Sequence, residues 1–497
     1  MTAPTTLSPA ARQAARPAVV ATLLVLGSLL AQLGLAGRVG LTTDEAHYAL
    51  YALHLDWSYF DHPPLVGWLQ ALVLPWSPGE LALRLWPMAL GALSAALLYR
   101  LVRRLFPDDS PWTACVAVAL WACAPLVHAT GMVLVPEDVL LPLALLVLHA
   151  LVSVLRWGSL RQWLLLGAAL GLAGLAKYTA VTLALTVVAA LLLAGRALDL
   201  RRPGPWLAAA LALLLVAPVL LWNAQHHWMS IRYQLRHGTG GSGWSAGDFL
   251  RSRAGELATY GPALVIGGLL AGWQALRREH ADPGVRVCLL TALPVFALFW
   301  PASGRETSLP HWTQLGWAAL APLAARWFVR GWDIRGRRAL ARIGGAWCGV
   351  LLLTLYLVLG ARLGPADPFG RARAPFTGWA RAAATAARLR DELPASSGPP
   401  PVLFTDRWTS ASRLAWYGRP APVQVIDKRN DQFDLWFGTP ATGARGILVA
   451  WSDSELPQPD EDLAHFARHD LVEEQPVEEA DGRIATFRFW SCDGYQP

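Results

Sequence analysis

Eleven stretches in which apolar side chains dominate for about 15 to 22 residues occupy the first three quarters of the chain. They lie near 17–36, 81–102, 112–130, 138–155, 162–176, 178–195, 205–222, 258–276, 286–300, 313–329 and 343–362. A helix of about 20 residues crosses the roughly 30 Å hydrocarbon layer of a bilayer, so the pattern predicts about eleven transmembrane helices. With the N-terminus on the cytoplasmic side, the inner loops contain Arg103 and Arg104, Arg156 and Arg161, Arg196, Arg201 and Arg202, Arg277, Arg278 and Arg286, and the run from Arg330 to Arg342. The positive-inside rule is met at every one. An odd number of crossings then carries residues 363–497 to the other side. There the period changes: strand-like runs at 401–406, 422–427, 446–451 and 485–490 alternate with amphipathic helical segments near 377–393 and 460–468, as in a small α/β domain. The expected architecture is a polytopic α-helical membrane domain over 1–362 followed by an extracytoplasmic α/β domain over 363–497, with the acidic run Glu473–Asp481 as a solvated face.

Composition sharpens this picture. Hydrophobic residues make up 54% of the chain and charged residues 15%, which excludes an ordinary soluble enzyme. Many of the 25 tryptophans, among them Trp57, Trp76, Trp112 and Trp206, sit at the ends of apolar runs like interfacial anchors. The net charge of +7 comes from arginine clusters between spans, not from one basic face, so no nucleic-acid partner is expected. Four of the five cysteines lie inside apolar stretches, which leaves neither a disulfide framework nor zinc-ligand spacing.

The chemistry-bearing residues of the membrane half collect in the outer loops. The loop 38–80 contains Asp44, Glu45, His47, Asp56, Asp61 and His62. Carboxylates at a membrane boundary are costly unless paired or functional, although DEAHYALYAL also reads as an amphipathic interfacial helix and Asp44 as a helix cap. In LVPEDVLLPL, Glu137 and Asp138 open the fourth span, where the helix dipole alone would favour them. Lys177 stands between two apolar runs and reads either as a snorkelling lysine or as a ligand for an anionic phosphate. Tyr48, Tyr59, Tyr178, Asn223 and His227 supply aromatic and hydrogen-bonding groups suited to sugar or headgroup contact, and Arg305, Glu306, His311 and Trp312 precede the tenth span. Asp61, His62 and His311 are residue types that a divalent metal accepts, a weak signal from scattered loops that makes no metal a firm expectation.

The strings DEAHYALYALHLDWSYFDHPPLVGWL, PEDVLLPL, GLAKYTAV, WNAQHHWMS and LPHW resemble bacterial members of glycosyltransferase family 39, relatives of the protein O-mannosyltransferases and of the lipid A aminoarabinose transferase in the GT-C fold class. The resemblance runs from about 40 to 320. It implies a bacterial inner-membrane enzyme that moves one sugar from a polyprenyl-phosphate carrier to a lipid, glycan or protein acceptor on the periplasmic face, with inversion. It makes Asp44, with Glu45 beside it, the first-loop acid, either Glu137 or Asp138 the second-loop acid, and Lys177 the contact to the carrier phosphate. The aminoarabinose branch has an acid and a lysine before its loop proline, where this chain has Asp61 and His62. That departure leaves the donor sugar open.

Such a displacement needs a base for the acceptor and positive charge for the departing phosphate. Asp44 is the expected base, Lys177 and Arg305 the expected cations, and Glu137 or Asp138 the aid that positions the sugar. Rival readings are a lipid-linked-sugar transporter or flippase, which should show an internal repeat and broken helices at mid-membrane, and a polymerase or ligase that transfers whole oligosaccharides.

Overall fold

Each of the eleven apolar runs overlaps helix in the computed structural model, which describes residues 9–76, 79–239, 243–305, 308–360, 369–394, 400–453, 460–479 and 482–497; the last two residues of the 343–362 run lie outside them. Glu306 falls outside the described residues. In chain order the helices are α1 (Pro9–Ala36), α2 (Thr43–Leu53), α3 (Leu65–Val73), α4 (Glu80–Leu105), α5 (Trp112–Ala122), α6 (Pro125–Thr130), α7 (Pro136–Arg156) and α8 (Leu160–Ala176). After a single 3-10 turn at Tyr178–Ala180 come α9 (Val181–Leu193), α10 (Pro203–Gln225), α11 (Met229–Thr239), α12 (Ala246–Tyr260), α13 (Pro262–Arg278) and α14 (Pro283–Ala302). A second such turn, Pro310–Thr313, leads into α15 (Gln314–Arg330) and α16 (Arg335–Gly360). Among the described residues, six helices are long and apolar enough to cross a bilayer: α1 from Ala15, α4, α7, α10, α14 and α16. The pair α12 and α13 passes the same test together but bends by 110°. Proline sets several starts: α7, α10, α13 and α14 carry it in the first turn, where its missing N–H costs nothing.

The described chain divides into two compact units. The first comprises 1–34, 62–65 and 84–353. In it α15 is buried along most of its length against α5, α13 and α14. Helices α8 and α10 meet closely because glycine lines the contact. A Cβ at Gly171 would lie 2.7 Å from Leu215 Cβ and 3.1 Å from Ala212 Cα, and one at Gly174 would lie 2.6 Å from Val216 Cγ2. Small residues are what let membrane helices approach this far. Gly171→Leu should therefore destabilise the folded protein by about 1–3 kcal/mol and lower its melting temperature in detergent. Gly91→Leu, at a position with nothing within 4 Å, is the control and should melt like the wild type. Equal melting of both variants would refute the close α8–α10 contact.

The second unit comprises 35–61, 66–83 and 354–497. Its helices are α17 (Gly370–Arg373), α18 (Trp379–Asp391), α19 (Trp408–Gly418), α20 (Gln432–Phe437) and α21 (Asp460–Leu463), and its strands β1 (Val402–Thr405), β2 (Val423–Val425), β3 (Gly446–Ser452), β4 (Phe466–Glu479) and β5 (Gly482–Tyr495). The sheet runs β2-β1-β3-β5-β4, parallel across the first three strands and antiparallel across the last three. On one face Trp379, Ala383, Leu414, Trp416, Phe487 and Phe489 form a core that also buries Leu41 and, from α2, Ala46, Ala49 and Leu50. A second core holds Phe404, Leu448, Phe466 and Trp490. The strand runs and the 377–393 helix match expectation, whereas the helix expected over 460–468 stops at Leu463 and the chain enters β4 at Phe466. Pairing with β5 over 14 residues overrides the local helical period. Most of Glu473–Glu479 is exposed or half-exposed, though Val477 is buried in the core and Glu479 binds Arg373.

Candidate active site

In the first unit the ends of α7 and α8 bring an acid and a base together. The extended backbone of Lys177, which ends α8, sends its Nζ to donate to Glu137 Oε1 at the start of α7. Both side chains are buried, with relative exposures of 8% and 6%. His311, on the turn before α15, places Nε2 3.6 Å from the same carboxylate oxygen, and His62 lies within its electrostatic reach. Glu137 thus faces three cationic or cationisable groups. Asp138 serves the backbone instead, since its Oδ2 accepts from the Val135 N–H at 3.3 Å and closes the N-terminus of α7. Glu137, rather than Asp138, is the acid that meets the lysine.

Beside this pair Leu140 and Leu141 of α7, Val295 and Phe299 of α14, Leu315 of α15, Glu137 and Trp312 line a small pocket of about 10 Å³. Three of the expected sugar-contact residues, Tyr178, Asn223 and His227, stand around the α10–α11 turn. Asn223, fully buried, donates to Tyr178 Oη at 3.1 Å and accepts from the Ile231 N–H at 3.3 Å. Tyr178 Oη in turn bonds Ser230 Oγ at 2.7 Å. His227 and Trp228 take positive φ values of 55° and 59° at this turn and are exposed. Arg305 is exposed and bonds through its backbone N–H to Ala302 O at 2.9 Å.

Sequence reasoning passed over Glu256, which is 2% exposed. Its Oε1 accepts from Thr313 Oγ1 at 2.8 Å and lies 3.2 Å from Arg253 Nη2, while Tyr260 Oη donates to Pro310 O at 3.0 Å. These bonds anchor the turn that carries His311. The only trace in the sequence is the three-residue spacing of Arg253 and Glu256 on a helix face, a common surface pattern.

In the second unit, α2 begins with a capping box. Thr42 Oγ1 accepts from the Glu45 N–H at 3.1 Å and Glu45 Oε2 accepts from the Thr42 N–H at 2.9 Å. Glu45 is 3% exposed, so its carboxylate is committed to the cap. Asp44, half-buried one residue before it, sits where the helix dipole favours its charge and within electrostatic reach of Arg413. His47 is held between Ser412 Oγ at 3.1 Å from Nδ1 and Asp61 Oδ2 at 3.4 Å from Nε2. Tyr51 donates to the other Asp61 oxygen, and burial followed by the charge of Asp61 pushes its phenol well above the ordinary range, so it stays protonated. Tyr48, Tyr51, Trp408, Phe433 and Trp436 ring the imidazole. Tyr59 is fully buried, bonded to Tyr51 O at 2.9 Å and stacked on the Tyr51 ring at 3.5 Å between centroids, so it shapes the loop. His311 thus engages Glu137, and Asp61 engages His47 and Tyr51. Among the described residues no group of three or more His, Cys, Asp and Glu side chains is arranged to hold a metal ion.

Residues 61–222 match the family model of dolichyl-phosphate-mannose-protein mannosyltransferases. No curated protein matches the chain by sequence. Among solved structures, ArnT from Cupriavidus metallidurans bound to undecaprenyl phosphate is similar with a TM-score of 0.64 at 17% identity, covering 95% of this chain and 98% of that one. The same protein in its apo state gives 0.58 at 16% identity, with coverages of 95% and 97%. The Archaeoglobus fulgidus oligosaccharyltransferase in its apo form gives 0.53 at 12% identity, covering 86% of this chain and 69% of that one. At such identities the structural likeness concerns the fold, and that fold extends over nearly the whole chain. The chain is thus a multi-pass membrane protein that shares the fold of these structures over nearly its whole length, and its residues 61–222 match the mannosyltransferase family model.

Proposed function

We propose that the protein transfers a single sugar from a polyprenyl-phosphate carrier to a hydroxyl or phosphate of an envelope acceptor, at the periplasmic face of a bacterial inner membrane. The observation that carries this reading is the buried Lys177–Glu137 pair with His311 beside it. In this reading the ammonium meets the anion of the carrier phosphate. The ArnT structure that shares this fold binds undecaprenyl phosphate, which supports the same class of carrier here.

In the proposed reaction the acceptor oxygen attacks the anomeric carbon as the bond to the phosphate oxygen breaks. The anomeric centre inverts, the acceptor proton passes to a carboxylate, and Lys177 steadies the charge gathering on the polyprenyl phosphate. Glu137 orients the ammonium and, with His311, keeps the phosphate site balanced between turnovers. The resemblance of the first loop to family 39 enzymes assigns Asp44 as that carboxylate. The domain division at 362/363 and the extracytoplasmic side of the C-terminal region belong to this proposal.

The test is mass spectrometry of envelope lipids, glycans and proteins from a deletion strain complemented with wild type or with Asp44→Asn. One acceptor should lose a single-sugar mass increment in the deletion and regain it only with the wild type. Asp44→Asn should cut transfer by about 10²-fold or more while membrane insertion stays normal. Loss of a whole oligosaccharide instead would favour the ligase reading, and full transfer by Asp44→Asn would remove that residue from the reaction.

A further inference from the structure

A second cleft opens at the far ends of the same helices. Helix α7 carries Glu137 in its first turn and Arg156 in its last, and at 1.5 Å per residue the two stand about 30 Å apart. Near the Arg156 end lies a cavity of about 560 Å³, walled by Val152, Leu193 and Val287 and rimmed by Arg104, Arg156 and Arg286. That volume lies within the range of small-molecule sites.

The arginines bond to neutral partners. Arg104 donates to His149 O at 3.1 Å and Ser153 Oγ at 2.8 Å. Arg156 donates to Arg104 O at 2.6 Å, and Arg286 to His280 O at 2.7 Å and Leu193 O at 3.2 Å. The one acid on the cleft wall, Asp282, is occupied elsewhere: it caps α14 through the Gly284 N–H at 2.8 Å and faces Arg326 at 3.2 Å. Three positive charges therefore gather around an apolar slot with no carboxylate of their own among the described residues, and each guanidinium keeps N–H groups in a fork that fits phosphate.

We infer that the cleft framed by Arg104, Arg156 and Arg286 is a binding site for the phosphate headgroup and upper chains of an anionic membrane lipid, in the leaflet opposite the Glu137–Lys177 pair. The apolar wall separates this ligand from free phosphate: Val152, Leu193 and Val287 offer nothing to an inorganic ion and match acyl chains. The headgroup would tie the end of α4 to those of α7 and α14, which no ion pair among the three arginines' described neighbours does. Basic pockets between membrane helices recognise anionic headgroups on these terms.

The experiment uses the full chain, delipidated in neutral detergent and titrated with phosphatidylglycerol, phosphatidylcholine or inorganic phosphate. Bound lipid is read by native mass spectrometry, and its location by crosslinking of a diazirine-bearing phosphatidylglycerol. The wild type should retain phosphatidylglycerol at least 10-fold over phosphatidylcholine and crosslink at Val152, Leu193 or Val287. Arg104→Gln/Arg156→Gln/Arg286→Gln should lose that preference, and Arg161→Gln, outside the cleft, should keep it. Should the triple variant fail to fold, the wild-type arms and the single Arg156→Gln variant still decide. Equal retention of the two lipids, saturation by inorganic phosphate alone, or crosslinks confined to other surfaces would overturn the inference.

Discussion

Lys177→Ala should lower sugar transfer by about 10²–10³-fold, the range expected when a buried group that stabilises developing charge is removed. The same substitution strands Glu137 as a buried, uncompensated carboxylate, which costs about 3–5 kcal/mol of stability. Reduced activity could then reflect fewer folded molecules, and a double variant separates the two effects. Glu137→Gln/Lys177→Met removes both charges and should recover most of the lost stability while transfer stays absent. Near-normal transfer by either variant at normal protein levels would exclude Lys177 from the carrier-phosphate site. Equal stability of the two variants would show that the pair contributes no net coupling.

Asp431→Asn should stabilise the second unit at neutral pH and flatten its pH dependence between about 4 and 6. The carboxyl is 4% exposed. One oxygen accepts from the Phe433 N–H at 2.7 Å, while Oδ2 is buried without a hydrogen-bond partner among the described residues. Burial, reinforced by Asp434 and Asp427 against the Phe433 N–H and His47, pushes its pKa up to about 6 from 3.8. The folded state thus holds a proton that the unfolded chain has released. Stability is unaffected below pH 4, falls as pH rises through the window from about 4 to about 6, and stays low above it. The shift corresponds to about 3 kcal/mol. Asparagine keeps the capping oxygen without the charge. Melting of the full chain, followed by circular dichroism, should show wild type losing stability from pH 4 to 6.5 and Asp431→Asn holding level. A parallel slope in both proteins would assign the pH dependence to other groups.

Much of the membrane half was legible in the sequence because lipid imposes one rule, a long apolar helix: each of the eleven runs overlaps helix, and among the described residues six helices are long and apolar enough to cross a bilayer. The α/β strands were legible for a similar reason: PVLFTD and GILVAW are short apolar runs bounded by turn residues. Pairing choices were not. Residues 460–468 have a helical period, yet β5 claims them from Phe466 onward, and no local signal announces a partner 20 to 30 residues ahead. Within the site, Lys177 and Glu137 stood out as charges in apolar surroundings, but their mutual bond spans 40 residues. Sequence alone left Glu137 and Asp138 equivalent; the Val135 N–H distinguishes them by taking Asp138 as a cap. Glu45 was named with Asp44 on proximity, and the capping box with Thr42 shows why adjacent acids can have unlike duties. Asp431 gave no signal at all, since its burial depends on the packing of α20.

The core that joins Leu41, Ala46 and Leu50 to Trp379, Trp416 and Phe487 sets a timetable for biogenesis. Its opening segment leaves the ribosome more than 300 residues before α19, the helix that packs on α2, and contacts this distant in sequence form slowly. Through most of translation the apolar side of α2 waits without its cover. A chain halted before Trp408 would lack α19 and leave that side bare.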